Sequence, residues 1–454
     1  MSRTRFACIL AVGGLLASAP ARAQSPSTNS PRGNAARIET AFQKFWATRS
    51  PAEAARVVGD VVKSGITFDE ALRRLKRGRT YTAQETGVIK LNNRTDDGVE
   101  HFYAVNVPAG YDPSRRYTVR FQLHGGVDGR VNNQPRGTGE IGNLAGAEQI
   151  YVLPYAWRDA PWWSDAQILN LNAIVDALKR TYNVDENRVV VAGVSDGGTG
   201  AYFVAMRETT PFSSFIPLNG FIMVLANDGM DDGGLFPTNL LNKPMFVVNG
   251  GLDRLYPLSV VEPFTRHLMN GGVQVAYYPQ PEGQHNTAWW PWIKGPFEEF
   301  VADHPRDPHP GKLTWETADL AHNRAHWLVI DKLGAQPDDA KQMLDLNGTQ
   351  GAFEVVRLGI TSVSLFSRPK PSGRVDLVQT GNTVQASTKG IAAFTLLLSP
   401  DRFDFDQPIK VTANGRVVFE GRVERSIETL MKWAARDNDR TMLYAAELKV
   451  KLAR

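Results

Sequence analysis

The stretch RVVVAGVSDGGTG, residues 188–200, decides how this sequence is read. Three successive valines, Val189, Val190 and Val191, run into a glycine cluster (Gly193, Gly197, Gly198, Gly200) that surrounds one serine, Ser195. A short apolar run of β-branched residues predicts a strand, and GGTGAYFVAMRE after it reads as the start of a helix. In a G-x-S-x-G frame on such a turn, the serine takes a strained conformation that exposes its hydroxyl, and flanking glycines keep neighbouring side chains from colliding. The helix N-terminus also brings partial positive charge to any oxyanion formed there. With 40 glycines in 454 residues, the pentapeptide can arise by chance, and a plain glycine-rich loop is the competing reading.

A serine hydroxyl is a poor nucleophile until a base takes its proton and a carboxylate fixes that base's tautomer. Both partners should follow Ser195 at the ends of later strands. After the strand PMFVVNGG comes Asp253 in GGLDRLYP, and after VQVAYYPQPEG comes His285 in GQHNTAWWP. An earlier strand, YTVRFQ, ends in Leu123-His124-Gly125-Gly126, a turn that can present a backbone N–H to a substrate carbonyl. The expected oxyanion donors are the amides of Asp196 and the Gly126 region. His124 competes as a base, although a histidine in this turn more often bonds locally and holds the loop.

Other candidates are weaker. Asp228, Asp231 and Asp232 fall in NDGMDDGG, which reads as a surface or lid loop. His267 is mid-helix, and His304 and His309 lie near a domain linker. His322 and His326 have the i, i+4 spacing of a metal pair, but no glutamate follows the first, so a solvated or packed helix face is expected and no metal or cofactor is required. Six of ten tryptophans fall in two short segments: Trp157, Trp162 and Trp163 in AWRDAPWWSD, and Trp289, Trp290 and Trp292 after His285. Core packing accounts for some; Trp157, Trp162, Trp163, Trp289 and Trp290 are the expected walls of an aromatic substrate cleft.

Residues 1–23 carry two early arginines, an apolar run and Ala21-Arg22-Ala23, the pattern of a cleaved signal peptide. That predicts export, to a periplasm or outside the cell, with no membrane anchor after cleavage. The one cysteine, Cys8, lies inside this segment, so no disulfide or Cys-ligated metal is expected in the mature chain. Three of the 51 basic residues also lie there, so the remainder nearly balances the 47 acids. No basic patch points to nucleic acid.

Residues 24–35 read as a disordered leader, and 36–84 as a helical segment, with helices near 36–58 and 67–78, that caps the domain after it. From 85 to 304, short β-rich runs alternate with helical stretches, one of them (166–181) with Ile168, Leu171, Val175 and Leu178 on one stripe. This is an α/β domain around a mostly parallel sheet. Three prolines and a glycine in HPRDPHPGK mark a boundary near 305–312. Residues 313–454 read as an accessory domain, mixed at first and β-rich from about 366, with a hairpin turn at Asn414-Gly415.

On LHGG (123–126), GVSDGG (193–198), GGLDRLYP (250–257) and EGQHNTAWWP (282–291), the region from about 85 to 303 resembles the α/β-hydrolases. Within them it is similar to the secreted esterase group that includes feruloyl-esterase and polyhydroxybutyrate-depolymerase-like proteins. The resemblance implies an α/β-hydrolase fold, a mostly parallel central sheet flanked by helices. It also implies Ser195 as nucleophile, His285 as base and then acid, and Asp253 as orienting carboxylate. The expected activity is hydrolysis of small-molecule or polymer-linked carboxylic esters through an acyl-enzyme. A serine peptidase of prolyl-oligopeptidase type is an alternative, but 24–84 is too short for its gating domain. The other alternative is a non-catalytic glycan or cell-wall binder on a hydrolase scaffold, which has no need of all three residues.

Overall fold

The computed structural model describes residues 31–129, 139–227, 230, 233–335 and 370–452. The expected signal peptide with Cys8, the leader up to residue 30, and Asp228, Asp231 and Asp232 lie outside the described residues.

Three helices come first: α1 (Pro31–Trp46), α2 (Pro51–Lys63) and α3 (Phe68–Arg77). Two expectations are corrected here. Residues 31–35 are helical, not disordered, and the helix expected over 36–58 is broken at Ser50-Pro51. Ser50 is extended, its hydroxyl accepts the Glu53 amide at 3.2 Å, and Pro51 fits the first helical position, where no N–H is needed. The apolar faces of these helices (Phe42, Phe45, Val61, Leu75) close against Leu430, Met431 and Ala434 near the C-terminus, so they cover the far end of the chain.

The main sheet contains β1 (Gly87–Arg94), β2 (Glu100–Val107), β3 (Tyr117–Leu123), β4 (Ile150–Pro154), β5 (Val184–Val194), β6 (Ser214–Leu218), β7 (Met245–Gly250) and β8 (Val275–Gln280). Among the described residues its order is β1-β2-β4-β3-β5-β6-β7-β8. The β1–β2 hairpin joins β4 antiparallel, and every pair from β4 to β8 is parallel. A strand in the middle of such a sheet must be apolar on both sides. On β5, Val189 and Val191 face the core built on α4 (Asp165–Thr181), α5 (Asp196–Arg207) and α6 (Leu258–Asn270). Val190 and Ala192 face α7 (Trp290–Asp303). Ile168, Leu171, Val175 and Leu178 of α4 are all buried, as their spacing predicts.

The C-terminal part carries two sheets among the described residues. One is formed by β10 (Arg324–Ala325), β11 (Leu328–Leu333), β14 (Ile391–Leu398) and β17 (Ala446–Lys451). The other contains β9 (Lys312–Thr317), β12 (Gly373–Thr380), β13 (Thr383–Lys389), β15 (Ile409–Ala413) and β16 (Arg416–Gly421). Strand structure begins at Lys312, in the stretch expected to be mixed. The helix that receives α1–α3 is α8 (Ile427–Asp437).

Polar contacts hold the two parts together. The edge of β9 would expose unpaired backbone groups. Asn239 donates to the Glu316 carbonyl and accepts its amide, at 2.9 Å each, and Asn242 does the same for Thr314. Two asparagine amides therefore stand in for a neighbouring strand. The stretch expected as a domain boundary is itself locked in place: Arg306 is buried between Asn187, Thr210, Thr441 and Asp439.

Candidate active site

Ser195 stands between β5 and α5 with φ 57° and ψ −119°, a positive φ that only a constrained turn imposes on a non-glycine residue. Its amide donates to the Leu218 carbonyl at 2.9 Å, so β6 holds the turn from below. Two glycines make the turn possible by close approach. A Cβ on Gly193 would lie 2.1 Å from the Gly197 carbonyl oxygen, and one on Gly197 would lie 2.1 Å from that of Leu123. Both obstacles are backbone and cannot swing away. Gly193→Ala is therefore expected to destabilise the fold by about 3 kcal/mol or to abolish soluble expression; a urea midpoint within error of the parent would refute that account.

The structure brings the three sequence-predicted residues together. His285 Nε2 lies 2.8 Å from Ser195 Oγ, and His285 Nδ1 lies 2.7 Å from Asp253 Oδ2. Asp253, 1 % exposed, follows β7, and its other oxygen accepts the amides of Leu255 and Tyr256 at 2.8 and 2.9 Å. Because an ionised carboxylate only accepts, Nδ1 must carry the imidazole proton, leaving Nε2 to accept from the serine hydroxyl.

The LHGG turn lies against the serine. A Cβ on Gly125 would come within 3.0 Å of Ser195 Cβ, and Gly126 has φ 69°. Asp196 Oδ2 accepts the amide of Val127 at 3.0 Å, tying this turn to the first residue of α5. The Asp196 amide is in the first turn of α5, where amides have no intrahelical acceptor. His124 has a local role: Nδ1 donates to the Gly125 carbonyl (2.9 Å), and Nε2 accepts the Ala156 amide (3.1 Å). The ring thus ties the turn after β3 to the segment that follows β4.

The expected aromatic cleft is corrected. Trp157, Trp162, Trp289 and Trp290 are at most 5 % exposed. Trp162 donates to the His124 carbonyl, and Trp157 stacks on Tyr155. Trp290 donates to the Ala145 carbonyl and helps enclose the buried Arg120 guanidinium, while Trp289 packs in the α7-side core. A loop sequence rich in tryptophan does not reveal which side of the loop faces the core. Trp163 is half-buried, and Trp292 is 73 % exposed. The aromatic groups beside the histidine are different ones. Tyr256 meets the His285 ring edge-on with centroids 5.6 Å apart, and Phe221 lies 5.8 Å from Tyr256. Tyr256 was recoverable from sequence only by its place three residues after Asp253. Its hydroxyl is pushed up in pKa by burial, then by the nearby Asp196 and Asp253 carboxylates.

His322 and His326 do not share a helix face. They flank the short strand β10, with His326 buried at φ 48° and Nδ1 3.1 Å from the Pro308 carbonyl, and His322 beside Asp165. Among the described residues no group of three or more metal-binding side chains occurs. Nor is any described helix long and apolar enough to cross a membrane.

A parallel sheet in this strand order, with the serine after β5, the acid after β7 and the histidine after β8, decides the architecture. The chain has the α/β-hydrolase fold. No family model matches the chain. It is similar to a probable feruloyl esterase C of Aspergillus terreus, 25 % identical over 210 residues, covering 44 % of this chain and 73 % of the relative. It is also similar to feruloyl esterase C of Emericella nidulans, 26 % identical over 172 residues, covering 37 % of this chain and 61 % of the relative. The chain thus spans less than two thirds of the second relative. Solved structures with a similar region include a thermostable esterase (20 % identical, TM-score 0.38, 48 % of this chain and 63 % of that one). A ferulic acid esterase (17 %, TM-score 0.38, 49 % and 99 %) and dipeptidyl peptidase 4 of Porphyromonas gingivalis (13 %, TM-score 0.37, 49 % and 36 %) are two more.

Proposed function

We propose that the protein is a serine hydrolase of carboxylic esters working through an acyl-enzyme. The observation that carries this reading is the unbroken line of contacts from Ser195 Oγ through His285 to the buried Asp253. Likeness to two feruloyl esterases supports an ester as the bond cleaved. In this scheme Ser195 Oγ attacks the carbonyl carbon while its proton passes to His285 Nε2, and Asp253 stabilises the imidazolium. The amides of Asp196 and the Gly126 region receive the oxyanion. Collapse of the adduct expels the alcohol, which takes the proton from Nε2 and leaves the acyl group on Ser195. Water, deprotonated by the same nitrogen, then releases the acid.

The N-terminal pattern of residues 1–23 supports export before the enzyme acts. A fluorophosphonate probe is expected to label the protein at Ser195, and an aryl ester to release a burst of one alcohol per enzyme. Peptide mapping that finds the label elsewhere, or faster turnover on matched anilides than on esters, would overturn the assignment.

A further inference from the structure

Asn219, the residue after β6, bonds to two limbs of the site and directly follows the residue that holds the third. Its left-handed backbone conformation, φ 48°, is tolerated by asparagine better than by most residues. The residue before it, Leu218, accepts the Ser195 amide at 2.9 Å. Its own amide donates to Val248 of β7, the strand that leads to Asp253, at 2.7 Å. Its side-chain Nδ2 donates at 2.8 Å to the carbonyl of Asn286, the residue directly after His285.

The chain on the two sides of His285 is anchored differently. Upstream, the Gly283 carbonyl accepts the Leu252 amide, and a Cβ on Gly250 would lie 2.4 Å from that same oxygen, so the loop sits tightly on the end of β7. Downstream, residues 286–289 bond mostly within their own turn, through Ala288 to the Asn286 side chain and Trp290 to the Thr287 carbonyl. Apart from its bonds into α7, the helix that follows it directly, this turn is tied to another element among the described residues by one hydrogen bond, from the Asn219 amide. Asn219 is fully buried, and its Oδ1 has no hydrogen-bond partner among the described residues. A positive φ and an orphaned buried oxygen at one residue are both unfavourable, and such costs collect where a geometry is needed for function.

We infer that Asn219 is a positioning residue: its amide fixes the loop after His285 so that the imidazole stays in line between Ser195 and Asp253. This rests on the proposed roles of those three residues. Holding a base within a fraction of an ångström of its working place has large kinetic weight, since small misplacements cost up to about a hundredfold in rate. The loop carries no residue that contacts substrate in this scheme apart from His285, so the effect falls on the chemical steps and not on binding.

Asn219→Gly separates this role from a structural one. Glycine accepts the positive φ, and the substitution removes both the tether and the orphaned oxygen. The expected result is a melting temperature close to the parent's, a kcat reduced about 10- to 100-fold, and a KM within about twofold. The rate of fluorophosphonate labelling at Ser195 should fall with kcat. Asn219→Asp keeps the shape but sets a carboxylate oxygen against the Asn286 carbonyl, and should lose at least as much activity. A kcat within twofold of the parent in either variant, or a loss that merely follows a fall in melting temperature, overturns the inference. A parent protein that neither hydrolyses esters nor takes label at Ser195 refutes the reading of the site itself, and this inference with it.

Discussion

Ser195→Ala is expected to lower kcat by roughly 10⁵- to 10⁶-fold and to abolish fluorophosphonate labelling, while the folded protein survives. What remains should be a slow reaction supported by oxyanion contacts and substrate binding alone. Asp253→Asn should cost about 10⁴-fold, because an amide that donates to Nδ1 presents the wrong imidazole tautomer to Oγ. The three residues act as a unit through the 2.8 and 2.7 Å contacts, so the double variant should be hardly worse than Ser195→Ala. Steady-state kinetics on one aryl ester, with circular dichroism as the folding control, decide the matter. Full additivity of the two losses would mean that Asp253 acts independently of Ser195.

Asp439→Asn should have the largest effect on stability, about 3–5 kcal/mol. Its carboxylate is buried between Arg306 at 2.7 Å and Lys179 at 3.3 Å. The other oxygen accepts the amides of Thr441 and Met442 and the Thr441 hydroxyl. Neutralising it strands two buried cations. Burial alone would raise the Asp439 pKa, but Arg306 and then Lys179 outweigh it and hold the group well below the usual carboxylate range. A carboxyl depressed in the folded state contributes stability above its unfolded pKa, near 3.9, and loses that contribution as pH falls below it. The parent should therefore weaken below about pH 4 in urea titrations, and Asp439→Asn should show less of that pH dependence. A midpoint shift worth under about 1 kcal/mol would remove Asp439 from the role of clamp.

The site was more legible in sequence than the architecture around it. Ser195, Asp253 and His285 could be found because a parallel sheet places functional side chains just past strand ends, and strands announce themselves as short β-branched runs. The split at Ser50-Pro51 was also written locally, in a capping residue followed by proline, although a longer helical stripe hides it. Trp162 and Trp290 were misread because their neighbours in space, the His124 carbonyl and the Arg120 guanidinium, are far away in sequence. Asn219 left no pattern at all, and Tyr256 only its place three residues after Asp253. Each takes its place from which loop end meets which.

By itself the sequence determined the alternation of strands and helices between about 85 and 304, the glycines that let β5 turn at Ser195, and the identity of the three residues that meet there. Those features depend on backbone clearance and on short-range periodicity, which a local stretch of chain can encode. Only the tertiary structure decided that α1–α3 cover α8, that Asn239 and Asn242 finish the edge of β9, and that Asp439 closes over Arg306 and Lys179. Burial and charge pairing are properties of groups brought together from distant parts of the chain, and they come into being only when the whole chain has packed.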